Sequence, residues 1–504
     1  MPEPKSRPLN LKSTLKTLSA GALVLAALDD VHAQYAPPPP PSPFPGFLNE
    51  YWRAQDPYAN QWDIGGEIRE RYEIKEGYAV PGKTGSADFR NRGASVDNQY
   101  LLSRIRLHAG YTEKWWSAYV EGQSSLEDGD HRYSYFFPAA TLPTGTHPKQ
   151  GYGPESDQID LHQAYFTLGN HKEFPISTKI GRQELSYGDE RLIGAFNWNN
   201  IGRSFDAAKV RWQNAWFGVD FFSGMPVVPR DGQFDMPNSY DWLSGGYATS
   251  TKIPKTILEG YFLARNASRE AINFFSSPEF PQPTARDVYT AGGRLKSKPG
   301  ELDGFDYTLE GAYQFGDFAA TQTGKRLNQD AFMFIANGGY TFSDLWSTPR
   351  LAVEFAYGSG GNAASGTHYT FDNLFPTNHK FYGYMDFFSL QNLEDLRLIY
   401  QCKPTSRMSL SVEGHAFWLA DTHDYLYNVG GGPRNVGGYG IHPTYNPFVG
   451  TELDVIAGYA VTRFAMVEGG YGHLFAGDYI AQSQAVNGGS RSADWVYFQT
   501  TFKF

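Results

Sequence analysis

The single cysteine, Cys402, has no partner, so no internal disulfide framework holds this fold. The same shortage argues against a redox site. Beyond residue 33 the chain also lacks any apolar run approaching the roughly 20 residues that a membrane-spanning helix needs, so a membrane role would fall to strands or to the surface. Positive charge is short too. With 43 Lys and Arg against 53 Asp and Glu, the net charge of -10 argues against a nucleic-acid partner and against a polyanion-coated surface.

What is present begins with an export signal. Lys5, Arg7, Lys12 and Lys16 precede the apolar run Leu18 to Leu28, and Val31-His32-Ala33 has the small-x-small form of a cleavage site. About 11 apolar residues are too few to span a bilayer. Residues 1–33 therefore read as a signal peptide, and 34–61 as a periplasmic N-terminal segment in which Pro37 to Pro43 is an extended polyproline spacer. The remaining 62–504 reads as one barrel.

The barrel reading rests first on composition. Aromatics make up 16% of the chain, with 33 Tyr, 36 Phe and 54 Gly. A secreted sandwich or propeller shares that richness, so the connections must decide. From Asp63 onward, alternating segments of roughly ten residues recur about eighteen times, the length of a tilted membrane strand. Long links near 75–98, 126–157, 184–204, 224–240, 266–284, 317–328, 358–391, 420–449 and 477–493 alternate with short ones such as Glu113-Lys114, Asn214 and Thr462-Arg463. That is the pattern of an antiparallel transmembrane β-barrel with long external loops and short periplasmic turns. No blade-length repeat supports a propeller. The final strand, ending on Phe498, Phe502 and Phe504, would expose an open edge unless it pairs with the first near 62–74.

The strands sort by face. Ala208, Val210 and Trp212 oppose Lys209 and Arg211; Leu410, Val412, Ala416 and Trp418 oppose Ser411, Glu413 and His415. With the apolar sets toward lipid, the lumen receives the basic residues Arg69, Arg71, Arg104, Arg106, Lys209, Arg211, Arg294 and Lys296. It also receives the acidic residues Glu67, Asp220, Glu259, Glu310, Glu354, Glu413, Glu452 and Asp454. Sequential strands are neighbours in a meander, so a basic arc should face an acidic one. Two readings stay open: the charges bind a passing anionic or polyhydroxylated solute, or they merely keep the lumen wet. Tyr165 and Tyr261 offer sugar-stacking faces, with an interface girdle as the alternative. Glu70 breaks the pattern on the apolar side of β-strand 62–74 and is expected near the outer rim, or at a bulge.

The stretch Gly181 to Gly194, GRQELSYGDERLIG, followed by Asn197 to Asp206, NWNNIGRSFD, resembles the alginate-export family of outer-membrane porins. So does Leu374 to Asp386, LFPTNHKFYGYMD. The resemblance runs over about 62–504 and implies a monomeric barrel of 18 strands that passes an anionic polysaccharide through an Arg-lined constriction. It implies that Arg182, Arg191 and Arg203, with Asp189, Glu190 and Asp206, shape the third external loop. Holding that loop's backbone is the competing role for the same residues. The short turns cannot plug the pore from below. Occlusion would come from inward-folding external loops, with 126–157, 358–391 and 420–449 the long candidates.

The expected function is passive diffusion of anionic polysaccharide, oligosaccharide or small solutes through a charged lumen. The expected place is the outer membrane of a Gram-negative bacterium, with lipid and the barrel-assembly machinery, read through the C-terminal strand, as partners. No cofactor or metal is implied: Glu127-Asp128-Gly129-Asp130 lacks a full calcium-ligand pattern. The rivals are a barrel enzyme of the lipase or protease type and a purely structural barrel. His162 and His415 are the histidines to watch, but no catalytic Ser or Asp can be placed beside them from sequence.

Overall fold

The computed structural model describes residues 46–79, 88–89, 98–129, 155–170, 173–273, 284–319, 325–361, 366–435, 438–485 and 492–504. The expected signal peptide, the polyproline stretch and Asp130 lie outside the described residues.

Eighteen antiparallel strands close into a barrel. They are β1 (Trp62–Glu76), β2 (Asn98–Thr112), β3 (Trp116–Asp128), β4 (Asp157–Leu168), β5 (Ile176–Gln183) and β6 (Phe205–Gln213). Next come β7 (Phe217–Val228), β8 (Asp241–Ser250), β9 (Thr256–Ala267), β10 (Arg286–Ser297), β11 (Phe305–Ala319) and β12 (Arg326–Thr341). The last six are β13 (Arg350–Gly358), β14 (Leu393–Thr405), β15 (Met408–Leu419), β16 (Phe448–Ala460), β17 (Ala465–Ala476) and β18 (Ser492–Lys503). Each pairs with the next, and β18 returns to β1 with Lys503 opposite Glu67 and Gln499 opposite Arg71. Phe504 extends the closure by exchanging both backbone hydrogen bonds with Gly66, each 3.0 Å long. The terminal strand is therefore fully paired, which removes the edge that would recruit other chains.

Alternation carries the energetics of the wall. On β11, Leu309 and Tyr313 are exposed outward while Glu310 and Gln314, each next to one of them in the chain, are buried. A Lys or Arg on the outward face would cost roughly 2–4 kcal/mol at mid-bilayer, which is why the charges collect on the inner face. Glu70 corrects the expectation made for it. The β1–β2 pairing runs through Glu70 opposite Ser103 without a register shift, so no bulge intervenes, and the residue sits midway along β1 rather than at the rim. Ser103 Oγ donates to its carboxylate at 2.5 Å, so the outward acid has a neighbour to bond.

The long loops share one rim and the short turns the other. Under the short-turn rim, within the N-terminal segment 34–61 and after its polyproline stretch, lies helix α1 (Phe47–Gln55) followed by a 3-10 turn at Pro57–Gln61. Asn49 locks it down: its side chain donates to Asp63 Oδ1 at 2.7 Å and accepts the Ile64 N–H at 2.8 Å.

Candidate functional site

Two loops from the long-loop rim fold inward and join each other across the lumen: 184–204, between β5 and β6, and 359–392, between β13 and β14. The Gly194 N–H donates to Phe375 O, the Phe375 N–H to Leu192 O and the Thr377 N–H to Glu190 O, each at 2.9 Å, and Ile193 forms a parallel bridge with Phe375. Arg203 Nη1 donates to three carbonyls at once, Gly194 (3.1 Å), Phe375 (2.7 Å) and Pro376 (2.9 Å). Trp198 stacks on His379 with centroids 3.8 Å apart and planes 8° off parallel. The two stretches singled out by family resemblance are thus the two halves of one seam. Around it a buried apolar cluster runs from Phe205 and Phe222 on one wall, through Leu192, Phe375 and Tyr382, to Leu474 and Trp495 on the other.

The backbone is strained where the loops meet. Glu190 (φ 64°), Phe196 (53°), Leu374 (59°) and Asp386 (59°) all adopt left-handed conformations without being glycine. Each such residue costs on the order of 1–3 kcal/mol and persists only where its surroundings over-determine it.

Nearby parts of the wall hold the two loops by opposite chemistry. On β1 and β2, arginines capture carbonyl oxygens of the 184–204 loop. Arg69 donates to Asn197 O (2.7 Å) and Asn199 O (3.2 Å), Arg71 to Trp198 O (2.7 Å), Arg104 to Asn197 O (3.1 Å) and Arg106 to Ile201 O (3.2 Å). Arg104 is also paired with Glu67 at 2.6 Å, and Arg71 with Glu73 at 2.7 Å. Gly202 (φ 82°) lets the loop approach this closely, because a Cβ there would lie 2.8 Å from Arg106 Nη2. On β16, three strands from β1 round the wall, carboxylates capture N–H groups of the 359–392 loop: Met385 N–H donates to Glu452 at 3.0 Å, and Tyr384 N lies 3.5 Å from Asp454. Gly383 (φ 89°) is the matching close approach, with a Cβ position 2.5 Å from the Glu452 carboxylate.

The remaining expected residues form linked ion pairs. Arg191 meets Glu354 at 2.8 Å and the Tyr382 hydroxyl at 3.2 Å; Glu354 is 3.6 Å from Arg397, whose Nε donates to Glu413 at 2.7 Å. Asp189 lies 2.5 Å from both Arg294 and Lys296, and Arg294 also holds Glu259. Arg182 grips Asp206 bidentately at 2.8 and 3.1 Å, fixing β5 against β6. Glu190 accepts from Ser186 and lies 4.0 Å from Lys380. Tyr261 is buried in the stack Phe222, Tyr187, Tyr247, Tyr261, and its hydroxyl donates to Glu310 at 2.9 Å, so its face is taken by protein. Of the three loops expected to occlude, 359–392 does so. Loop 420–447 backs it, with Val429 O accepting from Asn378 and Arg434 donating to Phe387 O. Most of the 126–157 loop lies outside the described residues. Its partner across the lumen, 184–204, is the shorter loop that length alone did not suggest.

On the short-turn side of the seam the wall carries a basic cluster. Lys209 (3.7 Å) and Arg211 (3.0 Å) share the single carboxylate of Asp220, and Lys179, opposite Lys209 in the β5–β6 register, stands 3.5 Å over the Tyr165 ring. Tyr165 in turn stacks on Tyr119 at 5.1 Å. Lys179 was missed from the sequence, although the alternation Ser177, Lys179, Gly181 carries it; β5 is short and its glycine dilutes the pattern.

Asp372 anchors the 359–392 loop to the wall, 2.5 Å from Arg286 on β10 and 3.8 Å from Arg265 on β9. Burial alone would raise its carboxyl, but the two guanidinium groups outweigh that and hold it at about 2, below the ordinary 3.8. A depressed carboxyl contributes stability that is complete above its unfolded value and lost as pH falls through the folded one. The Asp372 contribution to holding the loop is therefore expected to be constant from pH 7 to about 4 and to be lost only as pH approaches 2, whereas Asp372→Asn should raise channel current at neutral pH. A wild-type rise near pH 5 in bilayer recordings that Asp372→Asn abolishes would contradict this anchor.

Each watched histidine bonds a carboxylate: His162 Nε2 lies 2.8 Å from Glu184, and His415 Nδ1 3.0 Å from Asp395. A family model described as alginate export matches residues 61–494. Among solved structures, OpdL of Pseudomonas aeruginosa is similar with a TM-score of 0.53 at 9% identity, covering 88% of this chain and 98% of that one. OpdK of the same organism, an outer membrane protein, was solved with vanillate; it gives 0.51 at 11% identity, covering 88% and 98%. OpdQ gives 0.51 at 10%, covering 88% and 97%. At these identities the likeness speaks for the fold alone. No curated protein matches the chain.

Proposed function

Because this chain belongs to the alginate-export family and has the fold of an outer-membrane porin, we propose that it passes an anionic polysaccharide or oligosaccharide by passive diffusion, entering past Lys179, Lys209 and Arg211. The supporting observation is the basic cluster on that wall, where Lys209 and Arg211 share the carboxylate of Asp220 and Lys179 stands over the Tyr165 ring, on the side of the seam that a polymer made inside the cell would reach first. The acidic arc opposes this less than its composition suggests, since Glu452 already accepts a loop N–H and Glu413 is spent on Arg397. In this reading the family's transport role takes precedence over the enzyme alternative, and the exposed band of Leu, Phe and Val contacts lipid.

The test is ion selectivity in planar bilayers. Replacing Lys179, Lys209 and Arg211 together by Gln is expected to lower the anion-to-cation permeability ratio at least threefold. An unchanged ratio would remove this cluster as the selectivity element, and wild-type protein without conductance in any state would sink the porin reading.

A further inference from the structure

The outer end of β4 carries a feature that the lumen chemistry does not use. Opposite β3, Gln123 pairs with Asp160 and Ser125 with Asp157, so β4 spends two intervening residues where β3 spends one. That bulge pushes Ile159 out, 83% exposed, and turns Asp157 and Asp160 to the same side although they are three residues apart. Asp235, from the loop between β7 and β8, comes down onto them. One carboxylate oxygen from each of the three lies within 4.8 Å of the others, and all three residues are buried, at 2%, 7% and 5% exposure.

The cluster is short of positive charge. Arg182 lies 3.7 Å from Asp160, but its Nε and Nη2 are already bidentate on Asp206 and Nη2 also donates to Asp235 O. Arg230 and Gln158 contribute backbone N–H groups, to Asp235 at 2.6 Å and to Asp231 at 3.2 Å. Asp157 Oδ1 has no hydrogen-bond partner, and Asp231 Oδ2, beside the cluster, has none either. A buried, unpaired carboxylate oxygen is costly unless a cation or a proton meets it. Several carboxylates gathered partly from a loop are the hard oxygen donors that calcium takes about six to eight at a time, whereas magnesium keeps most of its waters.

We propose that Asp157, Asp160 and Asp235 hold one calcium-type divalent cation, with Asp231 completing the shell, and that the ion ties the 229–240 loop to the bulged end of β4. The site is made by the fold rather than by a linear motif, which is why the spacing of acids in the sequence did not suggest it.

Full-length protein in detergent, stripped with EDTA, should bind one calcium per chain by calorimetry, with magnesium at least tenfold weaker. Calcium should raise the thermal midpoint and slow trypsin cleavage after Arg230 at least tenfold. Asp235→Asn and, separately, Asp157→Asn should weaken calcium at least a hundredfold and abolish the protection. Wild-type protein alone can overturn the proposal: no binding heat and no change in midpoint or cleavage would mean that the three carboxyls share protons instead. Binding that survives both substitutions would place the ion elsewhere and overturn it equally.

Discussion

Arg203→Ala is expected to open the channel, raising the open fraction in bilayer recordings by roughly a hundredfold and giving measurable entry of an uncharged oligosaccharide into proteoliposomes. The argument starts from what its guanidinium holds. One nitrogen bonds Gly194 O on its own loop and Phe375 O and Pro376 O on the facing loop, so it is a three-point clasp across the seam. Desolvation and the charge of nearby Arg265 lower the guanidinium to about 9, so it remains cationic at neutral pH and draws its compensation from these carbonyls. Hydrogen bonds to a charged group contribute about 1.5–3 kcal/mol each, and the carbonyls left behind would be unpaired. Only the two bonds to Phe375 O and Pro376 O cross the seam, and a net loss of about 3 kcal/mol, the low end of their sum, corresponds to a factor of about a hundred in the closed-to-open ratio. Arg350→Ala is the control: it removes the clasp to Asp306 near the short-turn rim and touches neither loop, so conductance should not change. Equal currents in both variants would mean that the seam does not bear on passage.

The strand count, the closure and the two faces were legible from sequence because the wall obeys one rule at nearly every position. A residue faces lipid or lumen, the period is two, and the price of a charge on the lipid side disciplines the whole chain. Glu70 escaped the rule, and its partner Ser103 is visible only in the register of β1 against β2. The seam was half legible. Resemblance marked 181–206 and 374–386 as special, and the alternation placed Arg69, Arg71, Arg104 and Arg106 inward. What they hold was not legible, because Arg71 and Trp198, or Arg203 and Phe375, lie far apart in sequence and meet only across the lumen. Lumen charge had been expected to face water or solute. Much of it faces main chain instead, arginines of β1 and β2 toward carbonyls and carboxylates of β16 toward N–H groups. Binary patterning assigns a side chain to a face but says nothing of what occupies the space in front of it.

If the seam must part for a polymer to pass, locking it should stop transport while leaving the wall intact. Ile193→Cys with Phe375→Cys is expected to show this, since the two residues form a parallel bridge and bridged positions fall inside the roughly 4.4–6.8 Å between Cα atoms that a disulfide tolerates. The one native thiol, Cys402, is buried in β14 and does not compete. Losing the Phe375 ring removes its packing against Phe205 and its position under Arg265, a loss of about 3–5 kcal/mol for a buried Phe, so the reduced double variant should leak more than wild type. Oxidation should then lower oligosaccharide flux at least tenfold in the same preparation, and reductant should restore it. The comparison is internal: one protein, one substitution pair, two redox states. Flux that stays equal across them would mean that solute travels beside an intact seam, and the path would have to be sought along Lys179, Lys209 and the tyrosine stack rather than through the joined loops.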